Sequence, residues 1–342
     1  MNLWISKNKH LCIFSLILLL GLTTVSKQDN DMPEDEQLSS GYSVIRGNMV
    51  KIDNYANVQS YRYDLQKKIK RKKTEYILTE RKFSFLDNIM VFHDEEEYPQ
   101  GLCMTEEYIF ISSYSGIRGE LGKIKVYDKE SGEYLLALGM DENSHLGGLA
   151  YDGTYIWVCN SSKMSIERIS YGFMKQMIRE NKGDMIDARN LVDSYRVNNI
   201  PSCVTCFDGS LWVATHSIWM NATMVAYDYD EEINVLNSRA SYRVPPKVQG
   251  VDFSETGEVY LSTSYGRKKS SYIKKYESIY AMTNDVSDYI EQIELPPCSE
   301  GIVYRDKQIY VLFESAAKKY LEGMDGKGQS LSPLNKILVI QK

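Results

Sequence analysis

The 342-residue chain is too long for a disulfide miniprotein or a bare helical hairpin, and its 43% hydrophobic and 25% charged residues exclude wholesale disorder. With 46 acidic against 40 basic side chains and a net charge of -6, it lacks the basic face that phosphate backbones require, so no nucleic-acid partner is expected. Tyr outnumbers Phe by 26 to 9, and Tyr suits pleated, half-wet surfaces, which points to β structure.

Residues 1–26 have the layout of a secretory signal peptide: Lys7 and Lys9 precede the apolar run LCIFSLILLLGL (11–22), and small residues Thr24 and Ser26 mark a cleavage site. The apolar stretch is shorter than the ~20 residues of a membrane span. An uncleaved segment would act as an N-terminal anchor, so the expected location is secreted or at the cell surface. Cys12 has no lipobox after it. Residues 27–41 (KQDNDMPEDEQLSSG) form an acidic linker, and 42–80 an N-terminal extension of uncertain fold. That extension lacks the repeat described next, although a sixth, irregular blade would have to lie within it. Its basic run KKIKRKK (67–73) reads as a solvated face, with an anionic-polymer site as the sharper alternative.

From residue 98 a unit recurs: a small polar motif, a short strand, a turn, a stronger Tyr/Trp-rich strand and a polar patch. The copies are YPQGLCMTEEYIFISSYSG (98–116), SHLGGLAYDGTYIWVCNSS (144–162), IPSCVTCFDGSLWVATHS (200–217), KVQGVDFSETGEVYLSTSYGR (247–267) and CSEGIVYRDKQIYVLFESA (298–316). Starts are spaced roughly 45–55 residues apart, the period of a propeller blade. Third and fourth strands follow, such as GKIKVYDKE and YLLALGM after the first copy, with turn signals at Asp152-Gly153, Asp208-Gly209 and Thr256-Gly257. The expectation is an all-β propeller of about five four-stranded blades over 81–342. The fifth copy has a third strand (KILVIQK, 336–342) and no fourth, so residues 81–94 should close the ring. Residues 171–192 interrupt the second blade, and Phe173, Met174, Met177 and Ile178 have helical spacing. That helix should pack on the ring, a partner-binding role being the alternative.

Five cysteines follow the signal, too few for a disulfide scaffold in a chain this long. Cys203 and Cys206 (CVTC) lack a second CxxC and a following helix. They are expected to be structural, in the first strand of the third blade, with side chains on opposite faces.

GVDFSETGEVYLSTS resembles an NHL-type repeat, and EGIVY with HLGGLAYDG resembles blades of the senescence-marker/gluconolactonase class. The set is similar to exported propellers of low-GC Gram-positive bacteria. The gluconolactonase resemblance implies a divalent metal on the axis. Glu300-Gly301 matches the Glu-Gly of that class and Asn160 could serve as an amide ligand, whereas Gln100, Ser202 and Gln249 depart from its pattern, and no Asp is expected on the axis.

Registration of the repeat places equivalent residues around the axis, with first strands lining a channel. The candidate ligand-binding set at its mouth is Gln100, His145, Asn160, His216, Gln249, Tyr265, Arg267, Glu300 and Glu314, with Arg267 expected to pair with Glu300 or Glu314. No catalytic residue is assigned: Ser113, Ser262 and Ser264 lack a nucleophile elbow and an acid. The preferred function is binding of a small polar molecule, glycan or peptide by a monomer without a cofactor. The alternative is a metal-dependent, lactonase-type hydrolase using Glu300 and Glu314 around a cation such as calcium. A second alternative is an extracellular protein-interaction scaffold.

Overall fold

A computed structural model describes residues 82–341 with short gaps at 90, 92–95, 143 and 324, together with three strands nearer the N-terminus. The expected signal peptide and acidic linker lie outside the described residues. Among the described residues, strands β1 (Ser43–Gly47), β2 (Tyr63–Lys70) and β3 (Lys73–Leu78) form a three-stranded antiparallel sheet of their own. Of the basic run, residues 67–70 fall on β2 and Lys73 on β3.

The ring has five blades. The first comprises β5 (Glu97–Met104), β6 (Tyr108–Ser115), β7 (Lys123–Asp128) and β8 (Tyr134–Gly139). The second comprises β9 (Leu149–Tyr151), β10 (Tyr155–Asn160), β11 (Ser165–Ser170) and β13 (Asp193–Arg196). The third is β14 (Cys203–Phe207), β15 (Ser210–Ala214), β16 (Ala222–Asp230) and β17 (Val235–Val244). The fourth is β18 (Val248–Phe253), β19 (Val259–Thr263), β20 (Ser271–Tyr276) and β21 (Glu291–Leu295). In the fifth, β22 (Ser299–Arg305), β23 (Gln308–Phe313) and β24 (Leu338–Gln341) are completed by β4 (Phe83–Phe85), with Leu338 opposite Phe85 and Ile340 opposite Phe83. The closure expected from the missing fourth strand is therefore present, and first strands touch in ring order β5, β9, β14, β18, β22 and back to β5.

The second strands of the blades are buried on both faces, which explains their apolar runs, whereas the outer strands β13 and β17 are largely exposed. The period of two sends alternate residues to opposite neighbours. Ile109 and Ile111 of β6 pack toward the fifth blade with Leu312 and Val339, whereas Phe110 between them packs toward the second with Leu149 and Ile156. Five apolar clusters result, one at each blade–blade junction. In β14, Cys203 joins the junction with the fourth blade, while Val204 and Cys206 face the second. The pair is thus divided between two packing layers as expected, both thiols are free, and burial pushes the Cys203 thiol up to about 12. Asp208 (φ 49°) and Gly209 (φ 71°) make the tight turn of the β14–β15 hairpin, where two left-handed residues are needed.

The insertion forms α1 (Tyr171–Glu180), capped by the Ser170 hydroxyl on the Phe173 amide and ended at Asn181. Tyr171, Met174, Met177 and Ile178 enter the junction of the first two blades, while Phe173 stays exposed. The chain then adds β12 (Met185–Asp187) in parallel to β8, a fifth strand on the first blade. The helix thus seals a blade junction. Short helices α2 (Ile279–Asn284) and α3 (Lys318–Glu322) lie in the fourth and fifth blades. No helix among the described residues is long and apolar enough to cross a membrane.

A polar mouth around two carboxyl groups

Three first strands share one irregularity. The register shifts between Pro99 and Leu102 in β5, between Val248 and Gly250 in β18, and between Ser299 and Ile302 in β22. Each bulge carries the dipeptide Gln-Gly, Gln-Gly or Glu-Gly. The glycines let inner strands meet backbone to backbone: a Cβ on Gly301 would lie 2.7 Å from the Leu102 nitrogen, and one on Gly250 would lie 2.9 Å from the Glu300 oxygen. Gly148 of the second blade is as tight, at 2.6 Å from the Cys203 Cα. At this level the inner strands of neighbouring blades are in direct backbone contact. A bulge re-aims the side chain that precedes the glycine, and Gln100, Gln249 and Glu300 converge at one end.

There the Gln249 amide donates to Glu300 Oε1 (3.1 Å) and the Gln100 amide to Glu314 Oε2 (3.2 Å). The Glu300 and Glu314 carboxyls are hydrogen-bonded to each other. Burial, then the neighbouring Glu314 charge, raises Glu300 well above the usual carboxylate range. Glu314 is raised by burial, opposed by the Tyr320 hydroxyl that donates to it and by the nearby Lys319 charge. Both shifts favour the protonated form of the pair. Tyr320 also bonds the Tyr114 hydroxyl. Tyr114 stacks on Tyr98 at 4.7 Å and lies 4.3 Å from the His145 ring. His145 keeps an exposed edge, but the protein around its ring and then Lys319 lower its pKa, favouring neutral imidazole.

His216, Gln249, Tyr265, Arg267, Glu300 and Glu314 line one cleft of ≈ 470 Å³. Gln100 and His145 reach the same network through Glu314 and Tyr114. His216 is held by its Nδ1, 2.9 Å from the Val248 carbonyl.

Three expectations need correction. Arg267 pairs with neither Glu300 nor Glu314. It forms a bidentate ion pair with Asp325, also donates to the Gly328 (2.9 Å) and Lys319 (3.3 Å) carbonyls, and stacks 4.4 Å from the Tyr320 ring. The reason is the 24-residue connection between β23 and β24 (314–337), which folds over this end of the axis and presents its own acid first. Asn160 is not with Glu300. Its amide donates to Glu167 (2.8 Å) and Asp141, and its carbonyl accepts from Ser162 (2.8 Å) and the Lys163 amide, so it caps the β10–β11 turn. An Asp does reach the inner strands. Asp252 of β18 accepts from Thr205 of the third blade and from the Tyr304 amide of the fifth, both at 2.6 Å, and burial raises it to about 6.

Sequence reasoning missed Tyr98, Lys319, Tyr320 and Asp325. The last three sit on the β23–β24 connection, and its length against the short β10–β11 turn was the available signal. Among the described residues no group of three or more His, Cys, Asp or Glu side chains is arranged to hold a metal; the carboxyls that meet at the mouth are two.

No protein-family model matches the chain, and no curated protein matches it. Among solved structures it is similar to a chain of a nidogen/laminin complex, with 11% identity over 73% of this chain and 82% of that one, and a TM-score of 0.38. So distant a likeness carries no argument.

Proposed function

We propose that the propeller is an exported binding protein whose mouth takes a small polar ligand, or the terminus of a glycan or peptide. The observation that supports this reading above others is the Glu300–Glu314 pair. Strands of the first, fourth and fifth blades bring two carboxyls and two carboxamides together beside an open cleft. Buried polar groups are costly unless satisfied. These are satisfied by one another and held rigidly, the condition for recognising hydroxyl or amine groups without reorganisation. The lactonase-type alternative keeps Glu300 and Glu314 but loses Asn160, which is committed elsewhere.

A thermal-shift screen of polar metabolites and short oligosaccharides on wild type, Glu314→Gln and Tyr320→Phe tests the reading. A ligand of the mouth raises the wild-type Tm and loses most of that shift in both variants. A screen in which every stabilising compound acts equally on all three overturns it. Export is tested by N-terminal sequencing of the cell-free protein, expected to begin near Lys27; a membrane-bound product beginning at Met1 overturns cleavage.

A further inference from the structure

The mouth cleft adjoins a second cleft of ≈ 600 Å³ on the fourth blade, and the two share Ser264, Tyr265, Lys268 and Lys269 as walls. Lys247 and Lys274 line the second cleft, and Lys319 and Lys327 the first. Six lysines therefore follow one continuous depression. None of them has a carboxylate at ion-pair distance among the described residues. Of the acids near this track, Asp325 is committed to Arg267, Glu300 to Glu314 and Glu294 to the Ser270 hydroxyl. Lys274 feels the crowding: burial, then Lys247, lowers its pKa. In a chain of net charge -6, such a concentration of unneutralised cations creates a local positive field against the global sign.

Aromatic surface borders the same track. Trp219 is 82% exposed, on the connection between β15 and β16, with its ring 6.2 Å from that of Tyr265. Lys247 lies 5.7 Å over the Tyr265 ring. Thr263, Ser264, Ser270, Gln249 and Gln292 supply hydroxyls and amides to the walls.

We infer that this track binds a uronate-bearing polysaccharide, whose sugar faces lie on Trp219 and Tyr265 and whose carboxylates meet the lysines. The inference deepens the binding function proposed above by naming its ligand class. Exposed flat rings suit the apolar faces of pyranoses, amide and hydroxyl walls suit sugar hydroxyls, and unpaired ammonium groups suit a repeating carboxylate. The lysines line concave walls, which a flat bilayer surface does not enter. A polynucleotide would use the same stacking, but its charge density opposes the acidic remainder of the chain.

Titration calorimetry of the full chain against hexagalacturonate at 50 and 200 mM NaCl tests this. Maltohexaose, an oligo-dT hexamer and phosphatidylglycerol/phosphatidylcholine vesicles are the comparison probes. Hexagalacturonate is expected to bind, more weakly at the higher salt, while maltohexaose does not. The double variant Lys268→Ala/Lys269→Ala should bind at least tenfold more weakly with a shallower salt dependence. Trp219→Ala should bind several-fold more weakly with the salt dependence unchanged. These side chains are exposed, and an unchanged Tm verifies that the variants fold. Absence of hexagalacturonate binding at 50 mM NaCl, equal binding of maltohexaose, or tighter binding of vesicles or oligo-dT overturns the inference. If hexagalacturonate fails while another polar ligand still shifts wild type and not Glu314→Gln, this inference falls and the mouth's binding function stands.

Discussion

Glu300, at the start of the first strand of the fifth blade, is hydrogen-bonded to Glu314, just beyond the end of its second strand. Two carboxyls in contact cannot both ionise without strong repulsion, so the folded mouth binds a proton that the unfolded chain releases near pH 4.5.

That proton gives the protein a pH signature. Both folded-state pKa values are raised, so between 4.5 and the raised values the folded state binds more protons than the unfolded one. The pair's stabilising contribution is complete below about pH 4.5 and is lost as pH rises through the raised values. Asp252, raised by burial to about 6, acts with the same sign. The urea midpoint of wild type should therefore fall as pH increases from 5 to 8. Glu300→Gln, which keeps a donor toward Glu314, should fall less and be the more stable protein at pH 8. A steeper fall in the variant would contradict the shared proton.

Arg267→Ala should act mainly on the connection over the mouth. Its guanidinium holds Asp325, Lys319 and Gly328 together, and the Asp325 carboxyl is pulled down to about 2 by it. Loss of these charged hydrogen bonds should lower the urea midpoint modestly. Hydrogen exchange should accelerate over residues 317–331 and remain unchanged in the second and third blades. Uniform acceleration around the ring would show that Arg267 supports the whole fold.

Glycine at the inner strands should be intolerant of a methyl group. Gly148→Ala places Cβ against backbone of the neighbouring blade, which cannot move away as a flexible side chain would. A loss of at least 3 kcal/mol, or insoluble protein, is expected. Gly172→Ala, in α1 with nothing closer than 3.7 Å to the new atom, should instead gain about 0.5–1 kcal/mol. Equal tolerance in denaturant titrations would disprove the close backbone contact between neighbouring inner strands.

Removal of residues 336–342 should abolish cooperative unfolding. It deletes β24 and leaves edges open on β23 and β4. A truncated chain with a single sharp transition and an unchanged midpoint would show that closure is dispensable.

The ring was legible because its information is periodic. Each blade repeats a turn signal and a Tyr/Trp-rich second strand, and the missing fourth strand after KILVIQK pointed to the segment containing Phe83 and Phe85. Glu300, Gln100 and Gln249 were found for the same reason, since registration alone places them together. Arg267 kept its place at the mouth but not its partner, because Asp325 lies on a connection that belongs to one blade only. Asn160 was misassigned because equivalent position does not imply equivalent bonding: the Ser161–Lys163 turn claims its carbonyl locally. The glycines at 101, 148, 250 and 301 were visible as letters, but their closeness to neighbouring backbone is a property of a small ring and appears only in three dimensions.

The join between Phe83–Phe85 and Leu338–Gln341 also sets a timetable for synthesis. The strand that finishes the last blade emerges among the earliest of the ring, and the strand it clasps emerges last of the ring's strands. Until residue 341 has left the ribosome, β23 and β4 lack the strand that lies between them, and the apolar junction of the first and last blades lacks Val339. Long-range pairing of this kind is slow and exposes sticky intermediates. An emerging chain must therefore be kept from aggregating until the clasp is made.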